Sequence, residues 1–108
     1  SASSVPGIFL IPGIDAFFCA SDGIAIGAID GMMQLGMQVP QDVAVAGFDD
    51  FTVSKYIHGG ITSVKQYPYE MGVACANTVV SMIDGNRVPD WIPMEYKLMK
   101  RTSTKAKL

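Results

Sequence analysis

Residues 39–50 read VPQDVAVAGFDD. Pro40 interrupts regular secondary structure, and residues 43–48 then form a continuous apolar run that contains β-branched valines and no polar alternation. Such a run is typical of a strand that is covered on both faces, as in the parallel sheets of α/β proteins. The stretch therefore predicts a buried parallel strand that ends in two adjacent carboxylates, Asp49 and Asp50.

A strand and a helix are predicted before this stretch. Residues 15–20 (DAFFCA) form a second apolar run, which predicts another strand covered on both faces. Ser21 follows as the N-cap of a helix whose apolar residues recur at helical spacing until Gly36. Three glycines spaced four apart share one face of this helix, where the backbone can approach a neighbour closely: Gly23, Gly27 and Gly31.

The pattern continues in the second half of the chain. Residues 51–57 predict a short helix, residues 61–65 a third strand, residues 68–84 a second long helix, and residues 94–99 a last strand followed by a frayed tail. This order predicts an α/β fold with a mostly parallel sheet and flanking helices. Residues 1–14, interrupted by proline and glycine, are predicted to be a connector or displaced segment ahead of one domain over residues 15–108.

The composition limits the possible functions. Apolar residues make up 49% of the 108 residues and charged residues 17%, which excludes a disordered chain and indicates apolar surface that needs a partner. The net charge of −2 argues against direct binding of a nucleic-acid backbone, and the C-terminal lysines and arginine are predicted to be a solvated tail. No run is long enough to span a membrane. The two cysteines are predicted to be buried core residues of a reducing compartment: Cys19 and Cys75.

Polar side chains follow the predicted strands at their carboxyl ends, where open α/β sheets bind their ligands. They are able to orient a hydroxylated ligand, and they comprise Ser21, Asp22, Asp49, Asp50 and Gln66. Either of the paired aspartates could accept hydrogen bonds from a sugar while the other caps the next turn, and both could instead be turn residues only. The sequence leaves these alternatives open.

Catalytic machinery is not visible in the sequence. Ser21 lies between a strand and a helix, but Cys19 stands where a nucleophile elbow requires glycine. His58 is the only histidine, nothing in the sequence brings it near Ser21, and neither a zinc spacing nor a glycine-rich phosphate loop occurs. Adjacent carboxylates do not guarantee the facing pair of a glycosidase. We therefore expect no enzyme activity, no metal and no cofactor.

Several motifs in order along residues 15–104 resemble one family. The chain is similar to the lactose/galactose repressor family of transcription regulators, whose sensor domain shares the fold of periplasmic sugar-binding proteins. The resemblance is carried by DAFFCASD (residues 15–22), IAIGA (24–28), VPQDVAVAGFDD (39–50), ITSVKQ (61–66), YEMG (69–72) and RTST (101–104). It implies the C-terminal lobe of a periplasmic-binding-protein-like type I fold, with the helix at residues 68–84 belonging to the other lobe.

The resemblance also implies a function and a site. It assigns effector contact to Asp49, with Ser21, Asp22 and Gln66 lining the same cleft; Ser21 stands where the family often has asparagine, which shortens its reach. It implies a cytoplasmic homodimer that senses a sugar-like effector and contacts operator DNA only through an absent N-terminal domain. The alternative is part of an exported sugar-binding protein of an uptake system. The segments implied to lie at the dimer interface contain Ile24, Ala28, Met32, Tyr56 and Ile57.

Overall fold

The computed structural model describes residues 13–104, so most of the predicted connector at residues 1–14 lies outside the described residues. The chain divides into two compact units. Unit 1 comprises the chain up to Lys65 together with the part from Leu98 onward, and unit 2 comprises Gln66–Lys97. The chain thus leaves unit 1 after the third predicted strand and returns to it within the last one.

Parallel strands form the centre of unit 1. Strand β1 (Ala16–Phe18) pairs in parallel with β2 (Ala44–Ala46), and Phe17 lies opposite Val45. Ala46 forms a further parallel bridge with Thr62, directly before β3 (Ser63–Gln66). Strand β3 also pairs with β4 (Tyr96–Met99). The predicted parallel arrangement of the first three strands is confirmed.

The helix α1 (Asp22–Gln34) begins and ends where the sequence predicts. Its N-cap is Ser21, whose Oγ accepts a hydrogen bond from the N–H of Ile24 at 3.2 Å. It ends before Gly36, whose φ of 80° is the left-handed conformation that glycine adopts readily. The helix packs on the sheet through a core of seven buried residues: Cys19, Ala25, Ile29, Met32, Val43, Val45 and Ile61.

The prediction of cover on both faces is wrong for β1, whereas Ala44 and Ala46 of β2 are half-buried. Phe17 and Val45 lie on the face that packs against α1, whereas Ala16 is exposed and Phe18 is 62% exposed. Successive side chains of a strand point to opposite faces, so the second face of this sheet is left largely open in unit 1. An apolar sheet face of this kind is normally covered by another layer of the fold.

The segment after β2 forms two short turns instead of the single predicted helix. These are 3-10 turns at Thr52–Lys55 and Ile57–Gly59. His58, with φ 54°, and Gly59, with φ 78°, both have left-handed backbone conformations. A continuous α-helix cannot include such residues, which is why the segment bends here.

Residues 100–104, which follow β4, are held in the fold, contrary to the prediction of a frayed tail; residues 105–108 lie outside the described residues. Thr102–Thr104 form a 3-10 turn in which Ser103 is buried. The Ser103 hydroxyl donates a hydrogen bond to the carbonyl of Val45 at 2.6 Å and accepts one from the N–H of Thr62 at 2.9 Å. These bonds to the two central strands hold the tail in unit 1.

Unit 2 is built around the helix α2 (Pro68–Ile83), which begins with proline in its first turn as predicted. None of its residues is buried, and large apolar side chains such as Val79, Met82 and Ile83 are exposed. Cys75 is also exposed, so the prediction that both cysteines are buried holds only for Cys19. A helix this apolar normally packs against partners on more than one side. No helix in residues 13–104 is long and apolar enough to cross a membrane.

Candidate functional site

The Asp49–Asp50 turn follows β2 after Gly47 and Phe48 and has an unusual backbone. Asp49 has φ 96° and Asp50 has φ 53°, so two successive non-glycine residues adopt positive φ. Aspartate tolerates this region better than most residues, but each such residue still costs about 1–3 kcal/mol. The surrounding structure must therefore hold the turn in place.

Three successive backbone amides hold this turn. The N–H of Asp49 donates to the carbonyl of Val64 at 2.9 Å, and the N–H of Asp50 donates to Oγ of Ser63, also at 2.9 Å. The N–H of Phe51 donates to Oδ2 of Asp22 at 2.7 Å. With all three amides bonded, the side chain of Asp49 is presented from a fixed backbone, and Asp49 is an exposed residue.

Asp22 does not line a ligand surface in this structure, which corrects the prediction made from the resemblance. The residue is 0% exposed. Its Oδ1 accepts a hydrogen bond from the Ser63 hydroxyl at 2.6 Å, and its Oδ2 accepts bonds from the Ser54 hydroxyl and the Phe51 N–H. A buried carboxylate needs such donors because it has lost its water. Asp22 thus joins the start of α1 to the segment after β2 and to the first residue of β3.

The second aspartate of the pair has a different role from the first. Oδ1 of Asp50 lies 2.6 Å from the Nη1 atom of Arg101, and the exposed fractions of the two side chains are 4% and 12% respectively. The same Nη1 donates to the carbonyl of Ile61 at 2.9 Å. Arg101 is therefore a buried ion-pair partner and not part of a solvated tail. Asp50 is thus the structural partner of Arg101, and Asp49 is an exposed residue.

The remaining predicted ligand residues lie at strand ends as expected. Ser21 is half-buried and caps α1, and the next backbone N–H, that of Asp22, donates to the carbonyl of Phe48 at 3.0 Å. This bond fixes the start of α1 against the end of β2. Gln66 is the last residue of β3 and is half-buried. Of the predicted ligand residues in unit 1, Asp49 is exposed, Ser21 is half-buried and Asp22 is buried.

The predicted dimer residues divide into three groups. Ile24 and Tyr56 are exposed, at 57% and 77%. Ala28 and Ile57 are half-buried and pack against the core of unit 1. Met32 is 3% exposed and belongs to that core, so its assignment to an interface is wrong. Helical spacing alone could not separate Met32 from Ala28, because both lie on the broad apolar side of α1.

Metal binding and thiol chemistry find no support at this site. Among residues 13–104, no group of three or more His, Cys, Asp or Glu could hold a metal ion. Burial raises the pKa of the Cys19 thiol, because the charged thiolate is disfavoured away from water. Cys19 is therefore protonated at neutral pH and serves as a core residue.

A separate depression of about 530 Å³ lies on unit 1, lined among others by Met33, Gly36, Gln38 and His58. It contains none of the predicted ligand residues. Nε2 of His58 is 2.6 Å from Oδ1 of Asp30, so the side chain of this histidine is engaged with α1. We favour the strand-end site because it presents a carboxylate from a held turn.

Sequence reasoning missed three residues that shape the site: Ser63, Arg101 and Gly47. Ser63 and Arg101 were both within quoted motifs, but their partners are distant in sequence, at Asp22 and Asp50. Gly47 lies between β2 and the turn, where a Cβ atom would come within 2.2 Å of Asp22 Oδ1. A glycine that interrupts an apolar strand often marks such a close approach, and this signal could have been used.

Comparisons with known proteins match this fold. Residues 5–104 match the family model of a periplasmic binding protein-like domain. The transcriptional regulator RegA of Clostridium acetobutylicum is 35% identical over 94 residues, which cover 85% of this chain and 28% of that protein. The chain therefore spans about 28% of the length of this relative, with similar shares in the others.

Two solved structures extend the comparison. The transcriptional regulator CelR in complex with cellobiose has a TM-score of 0.73 and 39% identity, over 85% of this chain and 28% of that one. The Lac repressor dimer bound to operator and an anti-inducer has a TM-score of 0.76 and 27% identity, over the same shares. Both are similar to this chain in sequence as well as in fold.

Proposed function

We propose a function for this chain from its family: the chain belongs to the periplasmic-binding-protein-like domain family, in the form carried by regulators of the lactose/galactose repressor family. Its proposed function is to sense a sugar for a transcription regulator. In this proposal the chain supplies the C-terminal part of the effector domain, and operator DNA is bound by another part of the protein. Effector occupancy shifts the regulator between DNA-binding states through differential contacts. The proposal includes a cytoplasmic location, as expected of a regulator that acts on DNA.

The observation that carries this proposal is the exposed carboxylate of Asp49 on a turn held by three amides. A carboxylate can accept two hydrogen bonds from neighbouring hydroxyls of one sugar. Asp49 lies after a parallel strand, at the sheet edge where such folds bind ligands. The relative CelR, at 39% identity, is described as a complex with cellobiose, which supports a sugar for this chain as well.

The proposal predicts a loss of sugar affinity when Asp49 is replaced. Asp49→Ala in the full-length protein should weaken binding by about tenfold to hundredfold, because hydrogen bonds to a charged group contribute about 1.5–3 kcal/mol. Calorimetric titration with a panel containing cellobiose and sucrose measures this change. The control is Asp15→Ala, which should leave affinity unaltered. Asp15 is also an exposed aspartate, but it precedes β1, whereas Asp49 follows the parallel strand β2. Equal losses in both variants would exclude a specific role for Asp49.

A DNA-binding assay separates the regulator from the uptake protein. We expect the full-length protein to retard the DNA upstream of its own gene, and a sugar from the panel to change that retardation. A protein that binds the sugar and shows no DNA binding under any sugar condition would support the alternative, a sugar-binding protein of an uptake system. We propose no catalytic activity for this chain.

Homodimer formation is the second part of the proposal. Ile24 and Tyr56 are exposed on unit 1, and a Cβ atom added at Gly27 of α1 meets no described atom within 4 Å. A second copy could therefore approach the backbone of α1 and cover these side chains, as two-fold pairing of one patch allows. The Lac repressor, which is similar to this chain in fold at a TM-score of 0.76, is a dimer in its solved structure.

A charge at Tyr56 should weaken this dimer. Tyr56→Asp in the full-length protein is expected to raise the dimer dissociation constant at least about tenfold, because it buries an unpaired carboxylate in an apolar interface. Sedimentation equilibrium gives the constant. Tyr69→Asp is the matched control, since Tyr69 lies on α2 in unit 2 and is 79% exposed, compared with 77% for Tyr56. A dimer that is equally stable in both variants contradicts the assignment of Tyr56 to the interface.

A further inference from the structure

We infer that Asp22 is a positioning residue for effector recognition, which acts through Ser63 and the Phe51 amide to hold the Asp49 turn in its binding conformation. The inference rests on the proposed function in one respect only, namely that Asp49 contacts the effector. It assigns Asp22 a role different from the ligand contact that the family resemblance implies.

The carboxylate of Asp22 determines the direction of a hydrogen-bond chain. An ionised carboxylate can only accept hydrogen bonds, so the Ser63 hydroxyl must donate to Oδ1 across the 2.6 Å that separates them. The Ser63 oxygen then has lone pairs available for the N–H of Asp50, 2.9 Å away. Without the carboxylate, the serine proton is free to rotate toward that N–H and break the second bond.

The same carboxylate holds the other end of the turn directly. Oδ2 of Asp22 accepts the Phe51 N–H at 2.7 Å, so two of the three amides that hold the turn depend on Asp22, one directly and one through Ser63. The acceptor carboxylate and the serine hydroxyl are shielded from water, since Asp22 and Ser63 are both 0% exposed. Hydrogen bonds to a charged acceptor are stronger than neutral ones, particularly in such surroundings.

Holding this turn matters for binding because its backbone is otherwise unfavourable. Asp49 and Asp50 have φ values of 96° and 53°, which a free chain rarely adopts at two successive non-glycine residues. A turn that relaxes in the absence of ligand must be reordered on binding, and that cost reduces affinity. The Asp22 network removes the cost by maintaining the turn in advance.

Two serines that bond the same carboxylate provide a matched test. Ser63 joins Asp22 to the Asp50 amide, whereas Ser54 donates to Asp22 and its hydroxyl has no bond to the turn amides. Both serines are 0% exposed. Ser63→Ala in the full-length protein should raise the dissociation constant of the best-binding sugar in the cellobiose and sucrose panel about tenfold, and Ser54→Ala less than about twofold. The two melting temperatures should fall by similar amounts.

Amide hydrogen exchange measured by NMR tests the positioning without any ligand. Ser63→Ala should speed exchange of the Asp50 amide at least about tenfold relative to Ser54→Ala, because only the first variant removes its acceptor. Equal exchange in the two variants overturns the inference, and so do equal losses of affinity at equal stability. If the unmodified protein binds no sugar while the exchange difference is found, the proposed function fails and the positioning of the turn stands.

A second pair of variants guards against misfolding. Should Ser63→Ala fail to fold, Ser63→Cys and Ser54→Cys take the place of the alanine variants, since a thiol is close in size to a hydroxyl and bonds only weakly. The expected order is the same, with the larger effects at Ser63. Equal effects of the two cysteine variants on exchange and affinity would again overturn the inference.

Discussion

Replacing Arg101 by alanine is expected to lower the free energy of unfolding by about 3–5 kcal/mol, because it leaves the buried carboxylate of Asp50 without its cation. The Arg101 Nη1 atom lies 2.6 Å from Asp50 Oδ1 and 2.9 Å from the carbonyl oxygen of Ile61, so two acceptors lose their donor. Urea unfolding of the full-length protein, followed by a signal from this domain, measures the loss. The slope of the free energy of unfolding against urea concentration should be the same as in the unmodified protein if only stability changes.

Two controls identify the cause of this loss. Lys100→Ala removes the adjacent, exposed cation and should change stability by less than about 0.5 kcal/mol. The double variant Asp50→Asn/Arg101→Met removes both charges and should be more stable than Arg101→Ala, because no unpaired charge is left buried. A loss below about 1 kcal/mol for Arg101→Ala would mean that water replaces the guanidinium, and that the C-terminal segment does not support the turn.

The elements that local signals define were predicted well from the sequence. Ser21 and Gly36 delimit α1 because an N-cap hydroxyl and a left-handed glycine act on the residues next to them. The start of α2 at Pro68 is also defined by a local signal, because proline favours the first turn of a helix. The parallel pairing of β1 with β2 followed from the alternation of strands and helices, which admits few topologies.

The burial of individual residues could not be predicted from these signals. Phe18 lies in an apolar run that predicts cover on both faces, yet it is exposed because α1 covers only one side of the sheet. Met32 and Ala28 share the apolar side of α1, and only the position of the neighbouring strands makes the first a core residue. Exposure depends on what packs on an element, which its own sequence does not contain.

The candidate site residues lie near strand ends as the sequence predicts, whereas the buried contacts of Asp22 and Asp50 could not be predicted. The place after a buried strand indicated both Asp49 and Asp50, and only the family resemblance assigned effector contact to Asp49. The family resemblance assigned Asp22 to the ligand cleft, although its carboxylate accepts hydrogen bonds from donors 29 to 41 residues away in sequence. The pairing of Asp50 with Arg101 spans 51 residues. Such tertiary hydrogen bonds have no signature in a single sequence.

Gly47→Ala should be the most harmful single-methyl change in unit 1. The added Cβ would lie 2.2 Å from Oδ1 and 3.1 Å from Cα of Asp22, so both a side chain and a backbone would have to move. Asp22 cannot shift without weakening its bonds to Ser54, Ser63 and Phe51. We expect a loss of about 3 kcal/mol or more in the free energy of unfolding, from overpacking together with weakened bonds to a buried charge.

The comparison with Gly72→Ala isolates this close approach. Gly72 lies within α2, and a Cβ added there meets no described atom within 4 Å, so alanine should leave stability unchanged or raise it by about 0.5–1 kcal/mol. The changes in the free energy of unfolding of the two variants, measured by thermal and urea unfolding, should therefore differ in sign or by several kcal/mol. If Gly47→Ala is tolerated as well as Gly72→Ala, the carboxylate of Asp22 moves at little cost. A carboxylate that moves so freely could not hold two adjacent residues at positive φ, and the rigid presentation of Asp49 would have to come from the Val64 carbonyl and the Arg101 ion pair alone.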